Sequence, residues 1–542
     1  MSSRFSTLLL ATTALVPLGL TPAVANPLGA QVVSGNASVQ GQGTANVTVT
    51  QGSDKAIINW NSFNIGANEA TRFIQPNSSS IALNRVTGGL GPSQLFGRLS
   101  ANGRIFVVNP DGILIGPGAK IDTAGFLATT HDIANADFMA GRYNFSIPGR
   151  PDASVVNQGT ITAQNGGFAA LVAPGVRNAG TITARLGQVT LASGNGFTPD
   201  FYGDKLITLG VNDSIAAQVK DVATGQTLRS LVSNEGKLKA NGGTVQLTAV
   251  AARTVVDSVI NNKGVIEANT IGTRNGMIVL GVATGKSKPA GAPTQLVRVS
   301  GKLSAAGRRK GQTGGKIEVT GEAIELTAAN LDASGRSGGG VVLIGGDWSG
   351  GQPTLGLISN PSAKLETDAV PTASTVNVDA NSKIDASARN NGNGGKVIVW
   401  SDQTTAFAGS ITARGGAQSG DGGFVETSGH RRLNFNGTVD LRAPNGANGT
   451  LLLDPEDVII VSPGSGAGST TTDAAVASGN TTFTGNVDTS VLLWTDLQNA
   501  LNVGNVTVAT GTGGSQNGDI TVAAPIPWGS TSTLTLSAYR KP

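Results

Sequence analysis

Between residues 155 and 184 the chain says nearly the same thing twice. "VVNQGTITAQNG" begins at Val155 and "VRNAGTITARLG" at Val176, so Asn157 and Asn178, Gly159 and Gly180, and Ile161 and Ile182 recur at a period of 21. Such a repeat constrains folding strongly, because one unit has too little apolar surface to fold alone and must cover its face with its neighbours. Looser copies follow as "VSNEGKLKANGG", "INNKGVIEANTI" and "VSGKLSAAG", then "LDASGRSGGGVVLIGG", "IDASARNNGNGGKVIVW" and "ITARGGAQSGDGGFVE". Each unit is a short alternating strand, a Gly or Asn turn and a second short strand. Ile161, Ile182, Val189 and Leu191 are the expected inward residues, alternating with outward Thr and Gln. The reading is an all-β chain: a right-handed parallel β-helix, with the hand taken from the crossover rule for parallel strands. At about 21 to 25 residues per coil it predicts about 20 coils and a rod on the order of 100 Å. Asn157 and Asn178 either stack as a hydrogen-bonded ladder inside the coil or each cap a surface turn, a structural role in both cases.

Composition agrees with many short strands and turns. Gly accounts for 77 of 542 residues, only 13% are charged and 4% aromatic, and a helical bundle is excluded on these grounds. Cys is absent, which removes disulfides and thiolate metal sites. The net charge is +4 with basic residues scattered, apart from "GRRKG" at 307 to 311, read as a solvated turn. A nucleic-acid role, which needs a basic face with aromatic platforms, is not expected. The start, "MSSRFSTLLLATTALVPLGLTPAVAN", has a positive charge at Arg4, an apolar run from Leu8 to Leu20 and the A-x-A pair Ala23 and Ala25. It reads as a signal peptide cleaved between Ala25 and Asn26, since the run of about 13 residues is too short to span a bilayer. The mature chain is therefore expected to be exported, with no stable membrane span.

Little in the chain points to catalysis. His131 and His430 are the only histidines, so a His-based triad or multi-histidine metal site lacks material; neither metal nor cofactor is expected. Carboxylates alone can cleave polysaccharides on a β-helix, and Asp332, Asp347, Asp385 and Asp421 are the candidates for that alternative. They recur beside Gly in repeat turns, where Asp is expected as a turn former, and the reading is that the chain is not an enzyme. "SGDGGF" is at best a fragment of a Ca-binding nonapeptide.

The stretch "GRIFVVNPDGILIGPGAKIDTAGFLATT" breaks an apolar run with the turn formers Asn109, Pro110, Asp111 and Gly112 before Ile113, a sharp corner between two buried strands. Together with "IINWNSFNIGANEATRFIQPNSSSIALNRVTGG", this region resembles the secretion domain of filamentous-haemagglutinin-like exoproteins of the two-partner secretion pathway. Members carry N-P-N-G-I, matched here by Asn109 to Ile113 with Asp111 in place of Asn. The family's second motif, N-P-N-L, has no clear copy; "QPNSS" at 75 to 79 lies in its neighbourhood. Further on, "GNGGKVIVWSDQTTAFAGSITARGG", "GDGGFVETSGH" and "NGTLLLDPEDVIIV" resemble repeats of large haemagglutinin-like members.

The resemblance implies a partner: an outer-membrane β-barrel transporter whose periplasmic domains recognise the N-terminal region before it folds, with Asn109 to Ile113 either a register-setting turn that also serves recognition or a conformational corner alone. The expected organisation is a signal peptide over 1–25, a capped two-partner secretion domain over 26–150 whose β-helix can run on to about 270, repeats over 151–450, and a C-terminal repeat region over 451–542. That last region holds a helical turn at "TDLQNALN", with Thr495 or Asp496 as cap and Trp494, Leu497 and Leu501 as its apolar stripe. The ending "STSTLTLSAYRKP" reads as a truncated coil, and residues from about 460 as the least protected part of the rod. The expected function is a secreted or surface-displayed adhesin of a Gram-negative-type envelope, contacting glycans or proteins of a host or neighbouring cell. A polysaccharide-acting enzyme and a carrier for haem acquisition or a contact-dependent toxin are the alternatives.

Overall fold

The computed structural model describes residues 26–199, 208–209, 215–250, 256–283, 293–353, 356–463, 489–511 and 516–540. The expected signal peptide, Ala25 included, and most of the Ser, Thr and Gly-rich stretch after 463 lie outside these residues.

The chain is a parallel β-helix whose coils carry three strands each. A narrow face is built from strands such as Arg98–Ala101, Lys237–Lys239, Lys302–Ser304 and Lys383–Asp385. A wide face holds Arg104–Val108, Gln188–Ser193, Thr244–Val250 and Lys396–Ser401, and a third, 11-stranded face runs from Ser93–Leu95 to Arg432–Phe435. The long strands Lys120–Thr129 and Thr160–Ala173 pass through both the narrow and the wide face, with a register shift between Thr123 and Gly125 where the sheet turns its corner. The ladder passes residue 150 without a break, since Lys120–Thr129 pairs directly with Thr160–Ala173.

Period-2 alternation explains why each strand buries one face. Ile121, Ile161, Ile182, Leu238 and Ile266 stand in register one coil apart, each at most 2% exposed. Val189 and Leu191 are fully buried beside them, as their inward assignment requires. At about 1.5–3 kcal/mol per buried aliphatic side chain, the continuous column stabilises stacking that no single coil could sustain.

Coil length differs from the expectation. Equivalent residues are 21 apart at Asn157 and Asn178, but 28 apart at Asn234 and Asn262, 27 at Arg298 and Glu325, and 28 at Gln403 and Arg431. The pair at 155 to 184 is a short coil; later ones place longer corners between the same three strands, and some carry insertions such as Gly345 to Ala373. From Lys55–Trp60 to Leu534–Ser537 the rungs therefore span on the order of 70 Å at ~4.8 Å each, not 100 Å.

An antiparallel cap closes the N-terminal end. Gln31–Ser34 runs antiparallel along Lys55–Trp60, and Ala37–Gln40 forms an antiparallel pair with Asn46–Gln51, which in turn pairs in parallel with Ala70–Ile74. Reversing strand direction there covers edge groups that would otherwise invite another chain. Toward the other end, helix Trp494–Leu501 takes the place of a narrow-face strand, burying Leu497, Ala500 and Leu501, with Trp494 packed against the same core. The expected cap is corrected: the helix starts at Trp494 after Leu493, without a side-chain cap, and Asp496 sits within its first turn. Strand Asn505–Ala509 then continues the wide face, and Leu534–Ser537 pairs with it. No helix among the described residues is long and apolar enough to cross a membrane.

Candidate functional site: the Asn109 to Ile113 corner

Strand Arg104–Val108 of the wide face ends at Asn109, and Ile113–Ile115 of the third face begins four residues later. The residues between form a double turn. Asn109 Oδ1 accepts from Asp111 N at 3.0 Å, an Asx turn, while Gly112 N donates to Asn109 O at 3.1 Å. Gly112 sits at φ +115°, and a Cβ there would lie 2.9 Å from Ser154 O, so the corner requires glycine. The Asn109 amide is 1% exposed and donates from Nδ2 to Gly91 O at 3.1 Å and to Ser93 Oγ at 3.0 Å. Asn109 thus ties its own corner to the preceding coil, and Ile113 is fully buried in the core.

Only Pro110 and Asp111 are partly exposed. A strap from the insertion after residue 131 lies over them. Arg150 N donates to Pro110 O at 3.0 Å, and the Arg150 guanidinium is 4.0 Å from Asp111 Oδ1, a long contact between partly exposed groups. His131, at the base of the strap, is 1% exposed beside Thr129, Thr130 and the edge of Phe197; burial pushes its imidazole down to about 4. The "QPNSS" corner is built alike: Asn77 Oδ1 accepts from Ser79 N at 2.8 Å, and the buried Gln75 donates to Gln51 Oε1 at 3.0 Å. Asn26, the first described residue, is buried against the N-terminal cap, bonded to Thr44 O at 2.7 Å and Thr71 Oγ1 at 3.1 Å.

The candidate carboxylates are all engaged. Asp332 and Asp385 each accept the backbone N–H two residues on, at 3.1 and 2.9 Å, and Asp385 pairs with Arg389 at 2.6 Å. Asp421 Oδ1 accepts from Ala447 N at 2.9 Å in the next coil. Asp347 is different. It is 4% exposed and binds Lys396 Nζ at 2.8 Å, while Lys396 also meets Glu366 at 2.8 Å. His131 and His430 lie on separate coils, and among the described residues no group of three or more His, Asp or Glu side chains is arranged to hold a metal.

Asp347 belongs to a feature that repeat reasoning missed. The insertion from Gly345 to Ala373 folds over the outer side of the wide face, where Leu343, Trp348, Ile358, Ile398, Trp400 and Phe424 form a second apolar cluster. Beneath it, Glu426 is fully buried and accepts from Ser349 N at 2.9 Å. Burial, with repulsion from Asp454, pushes its carboxyl up to about 8; burial likewise raises Asp454 to about 6. The signal was present in "KVIVW", a run apolar on both faces rather than alternating, which marks a strand covered on both sides.

A capped parallel β-helix with a buried Asx corner in its early coils defines a class by fold, the parallel β-helix proteins. The comparisons specify it further: the family model of the TPS secretion domain matches residues 23–292. The crystal structure of the HMW1 secretion domain from Haemophilus influenzae is 32% identical, superposes with a TM-score of 0.60, and is covered over 100% of its length and 79% of this chain. The chain belongs to the two-partner secretion exoproteins. Two heme/hemopexin-binding proteins of Haemophilus influenzae are 32% identical over 273 residues and 34% over 262. Those matches take in 46% and 47% of this chain but only 27% of each relative's length.

Proposed function

We propose that this chain is an adhesin delivered to the cell exterior by a dedicated outer-membrane β-barrel transporter, and that Asn109 to Ile113 is read by that transporter before the chain folds. Membership of the family implies the transporter partner and passage through the periplasm. One observation supports the timing: Asn109, Gly112 and Ile113 are buried in the folded protein, so a receptor can reach their side chains and backbone only in the unfolded chain. Folding outside then propagates coil by coil from the capped end, and the Asn109 corner sets the register of the third face. Export begins with cleavage between Ala25 and Asn26. The folded rod stays on the surface or is released, where it contacts glycans or proteins of a host or neighbouring cell.

The test is co-expression with the partner transporter and measurement of protein in the medium against the periplasm. Asn109→Ala removes three hydrogen bonds at the corner, and Asp111→Pro deletes the N–H that closes the Asx turn; each is expected to cut secretion at least tenfold. Secretion of both variants at the parent's level would remove the motif from export. Similarity to the heme/hemopexin-binding proteins favours haem carriage as a second reading. It is tested by haem titration of the purified protein, and a Soret shift lost in His430→Ala supports it over the adhesin.

A further inference from the structure

Stacking brings residues from distant parts of the sequence into straight columns on the narrow face, where outward residues of successive coils lie ~4.8 Å apart. One column reads Arg98, Lys120, Thr160, Thr181, Lys237, Val265, Lys302, Asn330, Lys383 and Ser410, each in register with the next. It contains five cations and no carboxylate. Arg98, Lys120 and Lys383 are exposed, Lys237 and Lys302 half-exposed, and none of the five is ion-paired among the described residues.

From Glu267 to Asp440 the adjacent column, two residues along each strand, carries the opposite charge but is already neutralised. Glu267 meets Lys239 at 3.5 Å, Asp332 meets Arg308 at 3.9 Å, Asp385 meets Arg389 at 2.6 Å, and Asp440 meets Arg442 at 2.7 Å. Between Glu267 and Asp440 the carboxylates of this face therefore have cations within the protein, while the lysine column does not; Asp122, beside Lys120, has no ion pair among the described residues.

We infer that the narrow face between Lys237 and Lys383 binds a linear acidic polysaccharide lying along the rod axis. Lys237, Lys302 and Lys383 recur on every second coil, ~9.6 Å apart, a separation on the order of one disaccharide. A polymer with one carboxylate or sulfate per disaccharide would meet a lysine at each repeat, and the hydroxyl and amide groups of Thr181, Asn330 and Ser410 suit sugar hydroxyls. Nucleic acid fits less well. Neither column holds a Phe, Tyr or Trp on which a base could stack. The inference rests on reading the exposed rod as a contact surface. It is tested on purified protein, so its failure leaves the export reading untouched.

Binding of the mature protein to heparin, a polyuronate, neutral dextran and single-stranded DNA is measured over a range of salt. The expected result is salt-sensitive binding to the two acidic glycans and none to dextran. The triple variant Lys237→Gln, Lys302→Gln, Lys383→Gln is expected to lose roughly tenfold or more in affinity, with the salt slope falling by roughly two. A matched triple variant outside the column, Arg142→Gln, Lys220→Gln, Arg229→Gln, should bind like the parent. So should the triple Lys→Arg variant, which keeps charge and fold. Equal loss in the matched set, loss in the Lys→Arg set, unchanged binding by the triple Gln variant, or tighter binding of single-stranded DNA than of either glycan would each overturn the proposal.

Discussion

Replacing Asn178 by Ala tests how the coils are held in register. Asn157, Asn178, Asn234 and Asn262 are each fully buried at the same corner of successive coils. Their amides form a ladder: Asn157 Nδ2 donates to Asn178 Oδ1 at 2.7 Å, Asn178 Nδ2 to Asn234 Oδ1 at 2.8 Å, and Asn234 Nδ2 to Asn262 Oδ1 at 2.7 Å. Asn178→Ala removes two rungs and leaves a donor on Asn157 and an acceptor on Asn234 buried without those partners. At about 1–3 kcal/mol for each such group, and with a weak 3.4 Å bond from Asn157 Nδ2 to Gly159 O remaining, the expected cost is about 2–4 kcal/mol. Asn262→Ala, at the end of the ladder, breaks a single amide link and should cost about half as much. Because coils of a solenoid can open separately, the loss is read by native-state hydrogen exchange of the amides between 155 and 184 and between 230 and 262. A ladder also predicts that Asn178→Ala and Asn234→Ala are non-additive by about 1 kcal/mol or more. Additive effects, or an Asn178→Ala cost no larger than that of Asn262→Ala, would show that the amides cap their own turns independently.

Two further predictions concern pH. Glu426 is raised in the folded state from 4.5 to about 8, so the folded protein holds a proton that the unfolded chain releases. Stability is then full below pH 4.5 and falls as pH rises towards 8, by up to about 5 kcal/mol locally; Glu426→Gln should abolish that fall in denaturation curves of the outer-face insertion. A Glu426→Gln protein that still weakens between pH 6 and 8, above the range in which Asp454 titrates, would refute the buried-acid assignment. His131 shows the opposite sign: its imidazole is lowered from 6.5 to about 4, so stability is full above pH 6.5 and is lost as pH falls towards 4, by about 3 kcal/mol. In NMR titration its ring should stay neutral at pH 5, and a midpoint near 6.5 would contradict its burial.

The β-helix, its inward residues and the Asn109 corner were legible in the sequence because each rests on local rules. Alternation places Ile161 and Ile182 inside whichever coil they occupy, and Asn–Pro–Asp–Gly makes a turn from its own backbone and side-chain bonds. The family resemblance of the N-terminal region was legible for the same reason, in contiguous motifs. Coil length was not, since it depends on how many residues each corner absorbs, and the 21-residue pair lies among the short coils. Nor was the cap of helix Trp494–Leu501: Thr495 and Asp496 suit a helix start by type, but with Trp494 packed against the core the cap position falls at Leu493, two residues before Thr495.

What only the tertiary structure decided is which distant residues become neighbours. Lys396 finds Asp347 and Glu366 because an insertion folds over the wide face; in the sequence the three share no pattern. Lys237, Lys302 and Lys383 form one line although unequal stretches of chain separate them. The physical reason is that strand pairing sets distance by coil, at ~4.8 Å per rung, whatever the number of residues in the loops between. Alternation along one strand tells which side chains face out, and the stacking of coils alone determines which of them stand together.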